Sequence, residues 1–166
     1  MESIRTMKTD VSDVVARSVT NTFGVMFRRE VAPEGAGKGF AEGTGQDICS
    51  TVSLWQEGRL NVDFCFVFNR DLLSAIVGEA YPSEPQDNRA LLCQDIACAV
   101  ANIVVSNVKT YLNGRGFDMT MNFPEAGKAA ANGSGDQVEH LKFSCDRHAG
   151  VLVNMKMKDP TGPKAG

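Results

Sequence analysis

The chain has 166 residues, of which 43% are hydrophobic and 22% are charged, an ordinary composition for a soluble globular protein. This length is enough to bury a full core and predicts one domain. The formal net charge of −3, with no basic cluster, argues against nucleic acid as a partner. No run approaches the roughly eighteen apolar residues of a membrane span, and the start MESIRTMKTD is too polar for a signal peptide. We therefore expect a cytoplasmic protein.

The number and spacing of the cysteines are typical of a protein in a reducing compartment. They are odd in number, include no C-x-x-C pair and lie mostly in apolar runs: Cys49, Cys65, Cys93, Cys98 and Cys145. Such residues usually behave as small core hydrophobes. His140, Cys145 and His148 have metal-ligand side chains, but no fourth ligand is evident, and no third group supports nucleophilic catalysis by Cys145. The sequence thus predicts neither a metal site nor a cofactor.

The first element in the chain is an amphipathic helix. Apolar residues recur at helical spacing over residues 10–29, with Asp10 as a cap, so residues 1–9 are expected to form a flexible N-terminus. Residues 30–45 are rich in glycine and predict a connection without regular structure.

Two strands and a short helix follow. Residues 47–56 and 60–68 are strand-like, with a turn at 57–59 between them, and the second strand alternates between apolar and more polar positions. Residues 70–80 predict a short helix capped by Asn69.

A linker over residues 81–86 leads into the longest apolar stretch, residues 90–112. Its valines and isoleucines would suit a buried strand, but strands seldom exceed about eight residues, so length favours a helix. Asp87 or Asn88 is expected to cap its start, and the glycines of Gly114-Arg115-Gly116 are expected to end it.

The rest of the chain is predicted to form strands and loops. We expect a strand over residues 117–123 and then a Gly-rich loop over 124–137. Strands at 138–145 and 151–158 are expected to form a hairpin. Residues 159–166 are expected to form a flexible tail. The predicted fold is an α/β (α+β) domain over residues 10–158, with long helices packed on one face of a mostly antiparallel sheet.

One narrow polar stripe interrupts the long apolar helix. Its members are separated by four, three, four and three residues, so they share one helix face: Asp95, Ala99, Asn102, Ser106 and Lys109. Asn102, in the middle of the stripe, has poor helix propensity. Either the stripe is simply the solvated side of a core helix, or Asn102 presents its carboxamide to a partner outside the chain.

The order of these elements and motifs resembles the CheC/CheX family of chemotaxis phosphatases, and the CheX branch in particular. The family pattern is Glu-x-x-Asn, then a small residue, Asn, any residue and Lys. Here it reads Ala99-x-x-Asn102 and then Ser106-Asn107-Val108-Lys109. Further matches are Thr110-Tyr111-Leu112, Gly116-Phe117-Asp118, Phe123-Pro124 and the Ile76 to Tyr81 stretch, and together they extend the resemblance over residues 10–158.

The resemblance implies a function and a mechanism. Family members bind a phosphorylated CheY-type receiver domain and hydrolyse its aspartyl phosphate, and the magnesium ion belongs to the receiver. The motif Asn enters the receiver's site and orients the attacking water, so Asn102 stands at the position of the catalytic amide. Asp95, Ala99, Ser106 and Lys109 would form the receiver-contacting stripe around it. The resemblance also implies a homodimer joined at the edges of its sheets.

The chain departs from the family pattern at one position. The motif Glu is thought to pair with a lysine of the receiver, and Ala99 replaces it here. Loss of one partner in a close interfacial charge pair typically costs about 2–5 kcal/mol. Asp95 lies one turn earlier, about 6 Å away along the helix axis, and has a shorter side chain than Glu.

Three functions therefore remain open at this point. The chain is a CheX-like phosphatase of a receiver, or a non-catalytic module that binds or sequesters a receiver, or an oligomeric structural protein without a receiver partner.

Overall fold

The computed structural model describes residues 4–34, 47–127, 138–145 and 148–158. The helices in these ranges are α1 (Ile4–Phe27), α2 (Arg70–Ala80) and α3 (Gln86–Gly114). The strands are β1 (Val31–Glu34), β2 (Ile48–Gln56), β3 (Leu60–Phe68), β4 (Thr120–Met121), β5 (Glu125–Ala126), β6 (Val138–Cys145) and β7 (His148–Lys158).

All described strands join one antiparallel sheet. The strand order is β1-β6-β7-β3-β2-β4, and β5 pairs with β2 beside β4. The helices pack against the apolar face of this sheet. The predicted fold class, a mostly antiparallel sheet with long helices on one face, is confirmed.

The strand register shows which face of the sheet is apolar. Phe64 of β3 lies opposite Val52 of β2 and Met155 of β7, and all three side chains are buried. Residues directly opposite each other in an antiparallel sheet point to the same side, so this face forms the floor of the core. The rings of Phe64, Phe66 and Phe68 stack along it at centroid distances of 6.3 and 6.2 Å.

The core is completed by α3, which packs against α1, α2 and strands β2, β3, β4 and β5. Among the described helices, α3 is long and apolar enough to cross a membrane. The expectation that no stretch approaches a membrane span therefore understated its apolar length. The buried side chains that explain its composition face the sheet and the neighbouring helices: Cys93, Ala97, Val100, Ala101, Val104, Val105, Val108 and Leu112.

The first helix is longer than predicted. It begins at Ile4 rather than at Asp10. Ile4 and Met7 pack against the core, and this contact stabilises the additional helical residues. Asp10 is therefore not a cap but lies within the helix, where its carboxylate accepts a hydrogen bond from Arg115 at 3.2 Å. The helix ends at Phe27, two residues early, because Arg28 takes a left-handed conformation with φ 54°.

The predicted bounds of α2 are confirmed; the predicted N-terminal cap of α3 is wrong, and its predicted glycine stop is confirmed. Asn69 caps α2 by accepting a 3.0 Å hydrogen bond from the Leu72 amide. In α3, Pro85 occupies the cap position without a side-chain bond, and Asp87 lies in the first turn, where its charge favours the helix terminus. At the other end the helix runs through Gly114, and Gly116 takes the positive φ of 98°.

Three short strands, β1, β4 and β5, differ from the prediction. β1 lies within the connection expected over residues 30–45, where Val31 is buried and Pro33 is tolerated because β1 is an edge strand. The strand predicted over 117–123 shrinks to Thr120–Met121, and a second short strand, β5, begins the loop predicted over 124–137.

The last hairpin is confirmed, and β7 begins earlier than expected, at His148. A β-bulge between Phe143 and Ser144 bends β6, and a Cβ on Gly150 would lie 2.8 Å from the Phe143 carbonyl oxygen. Glycine is therefore required at this close approach. Most of the two predicted Gly-rich connections and the tail lie outside the described residues.

Candidate functional site

The predicted polar stripe lies along the side of α3 that faces away from its buried residues. Asp95 and Asn102 are exposed, while Ala99, Ser106 and Lys109 are half-buried. Leu91, four residues before Asp95, extends the same face and is 59% exposed. We call this face, from Leu91 to Lys109, the α3 stripe.

Asn102 is the member of the stripe whose side chain is best placed to bond to a partner outside the chain. Asn69, Asn107 and Asn122 all use their side chains inside the fold, and Asn107, for example, donates to Ser18 Oγ at 2.7 Å. In contrast, no hydrogen bond joins the Asn102 carboxamide to any other residue that the structure describes. The amide can both donate and accept, so it is available to a partner or to a water molecule outside the chain.

The neighbours of Asn102 on the stripe supply little charge. Ala99, one turn earlier, contributes only a methyl group. Asp95 is exposed, but it lies seven residues before Asn102, about 10 Å along the helix axis. Lys109 lies seven residues after Asn102, at about the same distance. The charges therefore lie two turns on either side of the amide.

A short segment of chain lies alongside the centre of the stripe. At one end, Ser106 Oγ donates to Met121 Sδ at 3.6 Å. At the other end, Cys98 Sγ is 4.0 Å from the Pro124 carbonyl oxygen. Cys98, Asn102 and Ser106 are four residues apart, so they form one row along the helix. Residues 121–124 thus run along this row from Ser106 back to Cys98, over the stretch of α3 that contains Asn102.

Sequence reasoning missed the exposure of Phe123. The predicted strand over residues 117–123 alternates Phe117, Met119, Met121 and Phe123, which would place all four on one buried face. Met119 is indeed buried, but regular pairing ends at Met121 and Phe123 is 90% exposed. Pro124, which cannot donate a backbone hydrogen bond, was the available signal that the strand stops early.

The thiols differ in their surroundings. Burial raises the pKa of Cys93. A hydrogen bond with the Cys65 thiol, together with burial, raises the pKa of Cys49 well above its usual range. Both groups stay protonated at neutral pH and are poor nucleophiles. Cys98, beside the stripe, is half-buried and receives a 3.7 Å contact from Ser50 Oγ.

Two other places carry side chains that could bind a ligand. His140 is exposed and bonds to Asn154 at 2.5 Å on the face of the sheet opposite the helices, whereas Cys145 is buried. No group of three metal-ligand side chains occurs among the described residues. An open cleft of about 500 Å³, lined by Trp55, Asn61 and Lys158 among others, lies on the same outer face of the sheet. Neither place adjoins the α3 stripe.

Comparison with solved structures identifies the fold. The chain superposes on the chemotaxis protein CheX from Vibrio vulnificus with a TM-score of 0.70 at 15% identity, covering 90% of this chain and 99% of that one. A CheC-like superfamily protein from Shewanella sp. PV-4 gives a TM-score of 0.69 at 16% identity, with 90% and 97% covered. The CheX of a CheX–CheY–BeF3–Mg complex from Borrelia burgdorferi gives 0.68 at 13% identity, with 89% and 97% covered.

No protein-family model matches the chain, and no curated protein matches it either. The likeness therefore concerns the fold, and it extends over nearly the full length of both chains in each comparison. The resemblance inferred from the sequence motifs is confirmed at this level: the chain has the fold of the CheX and CheC-like chemotaxis proteins.

Proposed function

We propose that this chain is a CheX-like chemotaxis protein of the cytoplasm that binds a phosphorylated CheY-type receiver domain and promotes hydrolysis of its aspartyl phosphate. The observation that carries the proposal is the Asn102 carboxamide, which is exposed and has no hydrogen-bond partner among the described residues. It lies on the α3 stripe of a CheX-like fold, and one protein of that fold is known in complex with CheY.

The proposed chemistry needs no covalent intermediate on this chain. A water oxygen attacks phosphorus, the bond between phosphorus and the aspartyl oxygen breaks, and inorganic phosphate and a free aspartate result, with the water protons passing to phosphate and solvent. Magnesium on the receiver would neutralise the phosphoryl oxygens. Asn102 would hold the water in line with the bond that breaks, and positioning of this kind is the main contribution that proteins make to phosphoryl transfer.

Ala99 supports a second candidate function. A methyl group can neither accept a hydrogen bond nor hold a lysine, so the charge pair that anchors the receiver in the family is missing from this position. Without that anchor, the chain would bind or sequester a receiver and leave its phosphate intact. Asp95 substitutes only if the receiver's lysine reaches a carboxylate about 6 Å further along the helix.

One experiment separates the candidates. Each CheY-type receiver of the source organism is phosphorylated, and the decay of its phosphate is followed with and without this chain. Accelerated decay supports the phosphatase. Binding with unchanged or slower decay selects the sequestering module. Absence of any interaction contradicts both and leaves a structural protein without a receiver partner.

A further inference from the structure

One aromatic side chain is almost fully exposed beside the α3 stripe. Phe123 has 90% of its side chain in solvent, the largest exposed fraction among the described large hydrophobic residues. We propose that Phe123 is the apolar anchor through which this chain holds the receiver, an inference that rests on the proposed function and adds a contact outside the Asn-containing motif.

The backbone that carries Phe123 is fixed on both sides. Asn122 Oδ1 accepts the Ser53 amide at 2.7 Å, and the Asn122 amide donates to the Ser53 carbonyl at 3.2 Å. Beyond Phe123, Pro124 contacts Cys98, and the Gly127 amide donates to the Cys49 carbonyl at 3.0 Å. The segment is therefore clamped between α3 and β2, while the Phe123 ring stays in solvent. Because the backbone on both sides of Phe123 is already held, docking there costs little further backbone entropy.

The position of Phe123 makes its burial a consequence of docking at Asn102. The segment 121–124 is held at Ser106 and at Cys98, and Asn102 lies midway between these two residues on α3, so a partner that docks on Asn102 also meets this segment. A protein interface of ordinary size covers about 800 Å² on each partner. A receiver whose phosphorylated site covers Asn102 would therefore cover Phe123 as well, and burial of a phenylalanine ring removes roughly 150–250 Å² from water.

This anchor also addresses the loss of charge at Ala99. Central, well-packed aromatic residues commonly provide most of the binding energy of an interface. Apolar contact at Phe123 would hold the receiver against the stripe where the family's carboxylate is absent, and Asn102 would remain free to orient water.

The surroundings of Phe123 favour a transient partner over a second copy of this chain. Asp95 and Asn102 are exposed on the adjoining helix face, Asn122 is exposed on the segment, and Thr120 is exposed just before it. Permanent homodimer interfaces are more hydrophobic than this, with charged residues depleted at their centre. One aromatic anchor among polar groups is typical of a smaller, reversible interface.

The test compares three variants of the full chain: Phe123→Ala, Phe123→Leu and the control Val25→Ala. Val25 is also a large exposed apolar residue, at 73%, but it lies near the end of α1. The dissociation constant is measured with a CheY-type receiver carrying beryllofluoride and magnesium. Phe123→Ala should weaken binding by about 30-fold or more, the effect that defines an interface hot spot. Phe123→Leu should recover most of the affinity, and Val25→Ala should change nothing.

Circular dichroism should show unchanged folding for all three variants, because both positions are exposed. Equal affinity of Phe123→Ala and the unaltered chain would overturn the inference and leave the proposed function standing. Loss of self-association with unchanged receiver affinity would overturn it in favour of a second copy as the occupant. If the unaltered chain binds no receiver, the proposed function itself fails, and the inference fails with it.

Discussion

Replacement of Ala99 by glutamate restores the residue that the CheX-like pattern places three positions before the motif Asn. Ala99 is half-buried on the α3 stripe, so the longer side chain would extend along the exposed helix face toward the receiver. A charge-assisted hydrogen bond contributes about 1.5–3 kcal/mol, which corresponds to roughly a ten- to a hundredfold faster reaction. Repulsion between the new carboxylate and Asp95, four residues earlier, would oppose this gain by only about 0.2–0.5 kcal/mol.

The assay is the lifetime of a phosphorylated receiver in the presence of each variant at equal concentration. Ala99→Glu should shorten the lifetime, and Ala99→Gln, which has nearly the same size but no charge, should give a smaller gain. The double variant Ala99→Glu with Asp95→Asn should be at least as fast as Ala99→Glu alone. If Ala99→Glu gives no gain with a receiver that the chain binds, the missing carboxylate does not limit the reaction. The account of Ala99 is then refuted.

Three further predictions concern the rest of the molecule. We expect a homodimer formed at the sheet edges, so light scattering at micromolar concentration should give twice the 17.9 kDa of one chain, and a stable monomer would contradict this. Cys98→Ser should leave receiver dephosphorylation within about twofold, because the proposed chemistry uses no thiol nucleophile, and abolished activity in a folded variant would revive that mechanism. The free energy of unfolding should fall as pH rises above 9.0, since the Cys49 thiol ionises near that value when unfolded and stays protonated when folded. The fall should approach about 1.4 kcal/mol per pH unit for this one group. Cys49→Ala should flatten the decline, and an equal slope would count against the assignment.

The sequence predicts the central part of the fold well where local signals and packing agree. The alternation of Leu60 to Phe68 gives the bounds of β3 correctly, because this strand has one strongly apolar face and a tight turn before it. Asn69 marks the start of α2 by the same local chemistry that the structure shows, a side-chain oxygen that accepts the Leu72 amide.

The errors arise where distant contacts decide the local structure. Ile4 and Met7 extend α1 because they pack against the core. The local sequence around them does not show that contact. β1 forms because β6 offers an unpaired edge, a partner more than a hundred residues away along the chain. Regular pairing of β4 ends at Met121, and the next residue, Asn122, uses its side chain to accept the amide of Ser53, which is distant in sequence.

In the candidate site, too, local sequence signals predict some features, and distant contacts decide the others. The face shared by Asp95, Ala99, Asn102, Ser106 and Lys109 follows from helical spacing alone, and the structure places these residues on the accessible side of α3. Spacing could not show that Asn107 has a hydrogen-bond partner and that Asn102 has none among the described residues, because that difference depends on Ser18 of a separate helix. The sequence could not predict that residues 121–124 flank the stripe, because contacts with Ser106 and Cys98 together position that segment.

The most direct test of the central claim is the lifetime of a phosphorylated receiver with the unaltered chain, with Asn102→Ala and with the control Asn21→Ala, an exposed asparagine of α1. The unaltered chain and the control should shorten the lifetime equally. Asn102→Ala should lose about a hundredfold or more of the acceleration, as expected when a positioning group is removed, and should still bind the beryllofluoride-activated receiver. If Asn102→Ala accelerates the decay as well as the unaltered chain does, Asn102 does not orient the attacking water, and the α3 stripe is only a solvated helix face.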